Sequence, residues 1–319
     1  MQGRLTTDQA CSRHIRPKLK PLVAFLLTVT TLGCSPIGPS SDSSGRLVFF
    51  SQVETRNLQL FASNADGSGV ERLVDDLADY TGPDWSPDGT QIVFASTRGG
   101  QANFDLYLMN ADGSNARRIY GTEFAEFAPS WSPDGTRIAF QFETSPQSGW
   151  DIYTIKTDGT DLQRITDSAM EEELPDWSPG GRIAYEAGRG NAHDIFVVDA
   201  DGTDRQQLTN NLGRVSGAPA WSPDGNQIAF NSTVHQTAET HTDRGEYEIY
   251  TMRSDGTSLT RHTHLSSPTR ALRYPTGSPD GHTIVAFRRR IYVLNLVEGT
   301  TSEVETGRNA RYPRFSPIP

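Results

Sequence analysis

The sequence predicts an all-β, six-bladed β-propeller with four-stranded blades, closed by a C-terminal strand that completes the first blade. Two observations carry this expectation. The first is a recurring segment: PDWSPDGTQIVFAS at residues 83–96, PSWSPDGTRIAFQF from Pro129, PDWSPGGRIAYEA from Pro175 and PAWSPDGNQIAFNS from Pro219. A weaker copy, PTGSPDGHTIVAF, begins at Pro275, and a truncated PRFSP closes the chain from Pro313. The second is the period. Trp85, Trp131, Trp177 and Trp221 are followed in the same place by Gly277 and Phe315, at spacings of 46, 46, 44, 56 and 38 residues. Repeats in the forties made of four strands indicate a propeller, because one blade cannot bury both faces until neighbours stack on it.

The unit from Gln91 to Trp131 justifies each element. QIVFAS alternates and is rich in β-formers, so it reads as a strand. The polar STRGGQANF is a loop and DLYLMN a second strand. ADGSN is a turn, in which Asp-Gly supplies the positive φ of a tight hairpin. ARRIY is a short third strand, APSW the fourth, and SPDG turns the chain into the next unit. The proline is expected to precede the inner strand, where a missing N–H is tolerated. The tryptophan is expected to pack between blades. Six segments of this type begin at Arg46, Gln91, Arg137, Arg182, Gln227 and Thr283. The chain enters on RLVFFS with no PxW strand before it and leaves on ARYPRFSP with no strand after it, so the last strand should close the ring and remove its open edges.

Ahead of the repeats, RHIRPKLKP is a basic region and LVAFLLTVTTLG, Leu22 to Gly33, an apolar region of signal-peptide length, too short to span a bilayer as a stable helix. The organisation expected is a lipoprotein-type signal at 1–33, a Ser/Pro/Gly tether at 34–45 and the propeller at 46–319. TLGCS resembles a bacterial lipobox, with Cys34 as the lipidation site, although Thr31 stands where such motifs prefer Leu; the alternative is a plain secretory signal with an incidental cysteine. Cys11 would leave with the signal, so no disulfide framework is expected. The formal charge of −10 becomes −14 once the five basic and one acidic residues of 1–33 are removed, with 24 basic against 38 acidic residues. Such acidity excludes a nucleic-acid-binding role built on phosphate contacts.

The repeats WSPDGTQIVFAS, DLYLMNADGS and ARRI resemble the WD-like repeats of the TolB-type six-bladed propeller, from about Arg46 to Pro319. The resemblance implies the fold and an exported setting. TolB itself carries an α/β domain ahead of its propeller, and too few residues separate Cys34 from Arg46 for one here. The expectation is therefore an exported lipoprotein lacking that domain. Related propellers also occur in prolyl-oligopeptidase-like enzymes, but the sequence carries no G-x-S-x-G elbow; GSPDG at Gly277 is the turn motif.

Three features are candidate sites. The Asp-rich turns, such as DADGTD with Asp199, Asp201 and Asp204, offer oxygen ligands, yet they lack EF-hand spacing, and hairpin chemistry explains their recurrence. His235 and His241 lie in the fifth-blade insertion STVHQTAETHTDRGEY, and His262 and His264 follow; they are raw material for a zinc or manganese site, while exposed loop histidines are common. The third feature precedes each inner strand, where propeller loops approach the channel mouth. These positions hold Asp79 and Tyr80, then Glu126 and Phe127, then Glu171, Glu172 and Glu173. Val215 and Ser216 follow, then Arg273 with Arg270, and Arg311 with Arg308. Acid on three blades facing base on two would make a dipolar mouth suited to a charged partner; the alternative is solvated loop charge.

No catalytic constellation stands out. The sequence therefore points to a non-enzymatic, monomeric, lipid-anchored envelope module, periplasm-facing or in the outer membrane, that binds a protein or peptide without a cofactor. The rival is a carbohydrate-active enzyme or glycan-binding protein using the fifth-blade insertion.

Overall fold

The computed structural model describes residues 45–52, 57–100, 103–143, 149–190, 192–210, 216–233, 247–264, 272–306 and 310–317. Cys34, the signal, the tether up to residue 44, His235, His241, Val215, Arg270 and Arg308 lie outside these residues. Within them, 24 strands, numbered β1 to β24 along the chain, form six antiparallel four-stranded sheets arranged as a β-propeller. The first blade combines β24 (Ala310–Phe315), β1 (Arg46–Gln52), β2 (Leu58–Asn64) and β3 (Glu71–Arg72) in that order, so β24 pairs with β1 and joins the chain's last strand to its first. The other five blades are successive four-strand meanders. QIVFAS and DLYLMN are strands β5 and β6 with the limits read from sequence, Gln91–Ser96 and Asp105–Asn110.

The innermost strands differ from expectation in one respect. The proline lies inside each strand, not before it: β4 spans Tyr80–Trp85, β8 Glu126–Trp131, β12 Glu171–Trp177, β16 Ser216–Trp221 and β20 Arg273–Gly277. Each carries a register shift at the proline, as does β24. The residue before the proline is left-handed in all six: Gly82, Ala128, Leu174, Ala218, Tyr274 and Tyr312 have φ between 48° and 55°. A bulge leaves one residue without a ladder partner, which is where an imino acid with no N–H fits.

The bulge turns the following residue toward the next blade. Asp84 accepts the backbone N–H of Trp131 at 2.8 Å, Ser130 Oγ that of Trp177 at 3.3 Å, and Asp176 that of Trp221 at 2.7 Å. Thus the x of each of the first three PxW segments hooks the tryptophan of its successor. The indoles then pack as expected: Trp85 joins side chains of blades one and two, Trp131 of two and three, Trp177 of three and four, and Trp221 of four and five. Phe315 does so between blades six and one.

Gly277 breaks the series. With no indole there, the seam between blades five and six retains a cavity of about 490 Å³, lined in part by Trp221, Pro223, Ala229, Thr251, Ile284 and Leu296. A Cβ at Gly277 would stand 3.7 Å from Pro223 Cδ, an ordinary contact, and its φ is not left-handed. We expect Gly277→Trp to raise the thermal midpoint by roughly 2–6 °C, as cavity filling does elsewhere. Trp131→Ala, at a filled seam, should cost about 3–5 kcal/mol in urea unfolding. A loss of stability in Gly277→Trp would show that this seam is not an unfilled copy of the others.

Candidate functional site at the channel mouth

Side chains alternate across a strand, and this sorts the residues ahead of each inner-strand proline. Those three positions before it turn into the blades: Tyr80, Glu126, Glu172, Leu272 and Ala310 are all buried. The Tyr80 hydroxyl donates to Asp76 Oδ2 at 2.6 Å. Glu126 accepts from Thr122 Oγ1 at 2.9 Å, beside the Arg118–Asp105 ion pair. Glu172 pairs with Arg205 at 2.9 Å and accepts from Ser168 at 2.8 Å. Asp79 receives the N–H of Leu58 at 2.7 Å, at the start of β2 (Leu58–Asn64). Of the candidate acids read from sequence, only Glu173 lines the mouth cavity.

Two positions before the proline the chain faces the channel. Thr81, Phe127 and Glu173 line a cavity of about 300 Å³ with Gln141, Glu186, Tyr274 and Tyr312. Arg273 and Arg311 take the equivalent positions on blades six and one, both exposed. The Arg273 guanidinium lies 4.1 Å over the Tyr247 ring. Tyr274 and Tyr312 stack at 3.7 Å between centroids. At the level of the prolines the channel narrows to about 30 Å³, room for roughly one water. Just beyond, Arg314 of blade one reaches Asp176 of blade four at 2.7 Å. The mouth is a blind cup.

Burial pushes Glu173 up to about 7, and the facing Glu186 carboxylate adds to the shift. Glu173 on β12 and Glu186 on β13 (Arg182–Arg189) are direct cross-strand partners. His193 on β14 (Ala192–Asp199) pairs with Gly188, two residues along β13 from Glu186. One ligand atom from each of Glu173, Glu186 and His193 lies within 4.8 Å of the others, the one such His/Cys/Asp/Glu cluster among the described residues. The neighbouring Glu186 raises the His193 imidazole against the opposing effect of its burial.

Glu186 and His193 were not singled out from sequence. The available signal was the unbroken run RIAYEAGRGNAHDIFVVD, a long hairpin whose turn brings the two residues to one face. Both of its strands have eight residues, where the middle strands of blades two, three, five and six have six. The histidines chosen from sequence are elsewhere. The ring Nε2 of His262 is 2.8 Å from Thr251 Oγ1 and burial lowers its pKa, while His264 is exposed. Strand β19 (Thr260–Arg261) ends before His262, so the two do not share a strand face. The Asp-rich turns are occupied by their own chain: Asp201 accepts from the backbone and hydroxyl of Thr203 at 3.0 and 2.6 Å.

Comparison with known proteins adds the lineage of this scaffold. Residues 28–184 match the family described as the TolB beta propeller domain. The matched repeats resemble those of TolB-type propellers. TolB from Acinetobacter baumannii superposes with a TM-score of 0.70 at 20% identity, covering 86% of this chain and 67% of that one. A putative TolB from Agrobacterium tumefaciens gives 0.62 at 20% identity, covering 86% and 100%. At such identities these two show the fold alone. An uncharacterized protein of Agrobacterium fabrum is 36% identical over 59 residues, spanning 18% of this chain and 20% of its own length.

The buried Glu126 has a pH consequence. Burial raises it to about 7 from 4.5. An acid whose folded pKa is raised contributes stability that is full below its unfolded pKa and lost as pH rises through the folded one. Glu126→Gln should therefore stabilise the protein at pH 8 by on the order of 1–3 kcal/mol and have little effect at pH 4. Urea unfolding at the two pH values checks this; equal effects would contradict it.

Proposed function

We propose that the protein is a cell-envelope binding module, tethered through a lipid on Cys34, whose channel mouth receives a charged protein or peptide segment without transforming it. The observation that carries this reading is the blind cup, with Glu173 and Glu186 on one wall and exposed arginines at the equivalent positions of blades six and one. A closed floor suits capture of a segment end or side chain better than passage of a ligand through the ring. Opposite charge on opposite walls orients such a segment and favours a partner with complementary charge.

The TolB-type lineage is compatible with an envelope setting, and the leader sequence supports export. Among the described residues no helix is long and apolar enough to cross a membrane. The tether between Cys34 and Arg46 would then hold the propeller a short distance from the bilayer that carries the lipid.

The test is in-cell crosslinking of the native lipoprotein beside a variant carrying Arg273→Glu and Arg311→Glu. These exposed positions can be reversed in charge with loss only of the Arg273 contact to the Tyr247 ring, unlike Glu172, whose buried pairing with Arg205 would be broken. One envelope protein captured by the native form and lost from the variant is the expected result. The same neighbours in both strains would remove the mouth from consideration. Labelling with palmitate, abolished by Cys34→Ser, checks the anchor; unchanged labelling would contradict it.

A further inference from the structure

We propose that Glu173, Glu186 and His193 form a divalent-cation site on the wall of the channel mouth, suited to zinc or manganese and open to the cavity. The inference does not rest on partner binding, since all three ligands belong to blade four.

Three features of the geometry point to a cation. First, Glu173 and Glu186 stand directly opposite each other on adjacent strands. Like charges in that relation destabilise a sheet, which a proton on one carboxyl or a cation between the two relieves. Second, His193 is 9% exposed, and its Nε2 lies 3.1 Å from the carbonyl oxygen of Gly190. A carbonyl can only accept, so Nε2 carries a proton. In the neutral ring Nδ1 then offers a lone pair, and this buried nitrogen has no hydrogen-bond partner. Donation of the other ring N–H to a backbone carbonyl is the usual way a metal-binding imidazole is oriented.

Third, the separation fits. His193 Nδ1 and Glu186 Oε1 are 3.5 Å apart, beyond a good hydrogen bond. Two ligand atoms bound tetrahedrally to one zinc at about 2.0–2.1 Å stand roughly 3.3–3.4 Å apart. The carboxylates are also held from behind. Glu186 Oε2 accepts the N–H of Ala218 at 2.7 Å, and a Cβ on Gly217 would lie 1.9 Å from that oxygen, so only glycine lets the carboxylate approach. Glu173 Oε1 lies 3.4 Å from Gln141 Nε2. Imidazole with carboxylates is a donor set for zinc or manganese. Three protein ligands leave positions facing the cup, where a partner's carboxylate or a water could complete the shell.

The experiment uses the mature protein stripped with a chelator and titrated by calorimetry with Zn²⁺ and, separately, Mn²⁺, with no partner present. We expect one ion bound per chain and a metal-dependent rise in thermal midpoint. His193→Ala and Glu173→Gln should each weaken binding tenfold or more, with thermal midpoints of the metal-free variants near that of the metal-free parent. His262→Ala, in blade five, should bind as the parent does. Absence of one-to-one binding with both metals overturns the proposal, and so does unchanged affinity in His193→Ala and Glu173→Gln. Failure of the mouth as a partner site leaves this result untouched, because the readout is metal alone.

Discussion

The structure depends on the left-handed residue that precedes each inner-strand proline. At six positions around the ring the chain adopts φ near +50°, at Ala, Leu and Tyr as well as Gly. Such a conformation carries a cost of order 1 kcal/mol or more for a side chain other than glycine. In return the bulge sets three directions within five residues. In blades two to four the residue before the left-handed one faces the mouth, the residue after the proline addresses the neighbouring blade, and the next supplies the aromatic wedge. A proline suits the site because the bulge asks for no N–H there.

That arrangement joins assembly to the site. Asp84, Ser130 and Asp176 hook the backbone of blades three, four and five; a hydrogen bond to a charged acceptor such as the two aspartates contributes about 1.5–3 kcal/mol, and one to the neutral serine hydroxyl about 0.5–1.5 kcal/mol. Asp176 also meets Arg314 across the channel, so the carboxylate that links blades four and five closes the channel toward blade one. Desolvation raises Asp84 to about 6 and raises Asp176 as well, opposed by the single guanidinium of Arg314. The axis is thus held by one cation among buried carboxylates, and the mouth above it is left blind.

The six-fold architecture was legible because its signals are local and repeated: alternation in QIVFAS, the Asp-Gly turns, and tryptophan at a near-constant period. Closure by β24 followed from the phase of the repeat at the two chain ends. The site was legible only in part. Counting back from each proline found the right segment, but not which residues face the channel, because the bulge changes the register there. Glu126 and Glu172 consequently belong to the blade interior, while Glu173, one residue on from Glu172, lines the cup. Glu186 and His193 were hidden for another reason. They are seven residues apart in sequence, and only the hairpin places both beside Glu173 from a third strand.

The most direct measurement is amide hydrogen exchange at Trp131 and Trp221, compared between the parent protein and Asp84→Ala. If Asp84 and Asp176 hook the next blades, both amides exchange among the slowest in the domain. Asp84→Ala should then accelerate Trp131 selectively, leaving Trp221, hooked by Asp176, protected. Exchange of Trp131 unchanged by loss of the Asp84 carboxylate would contradict the account.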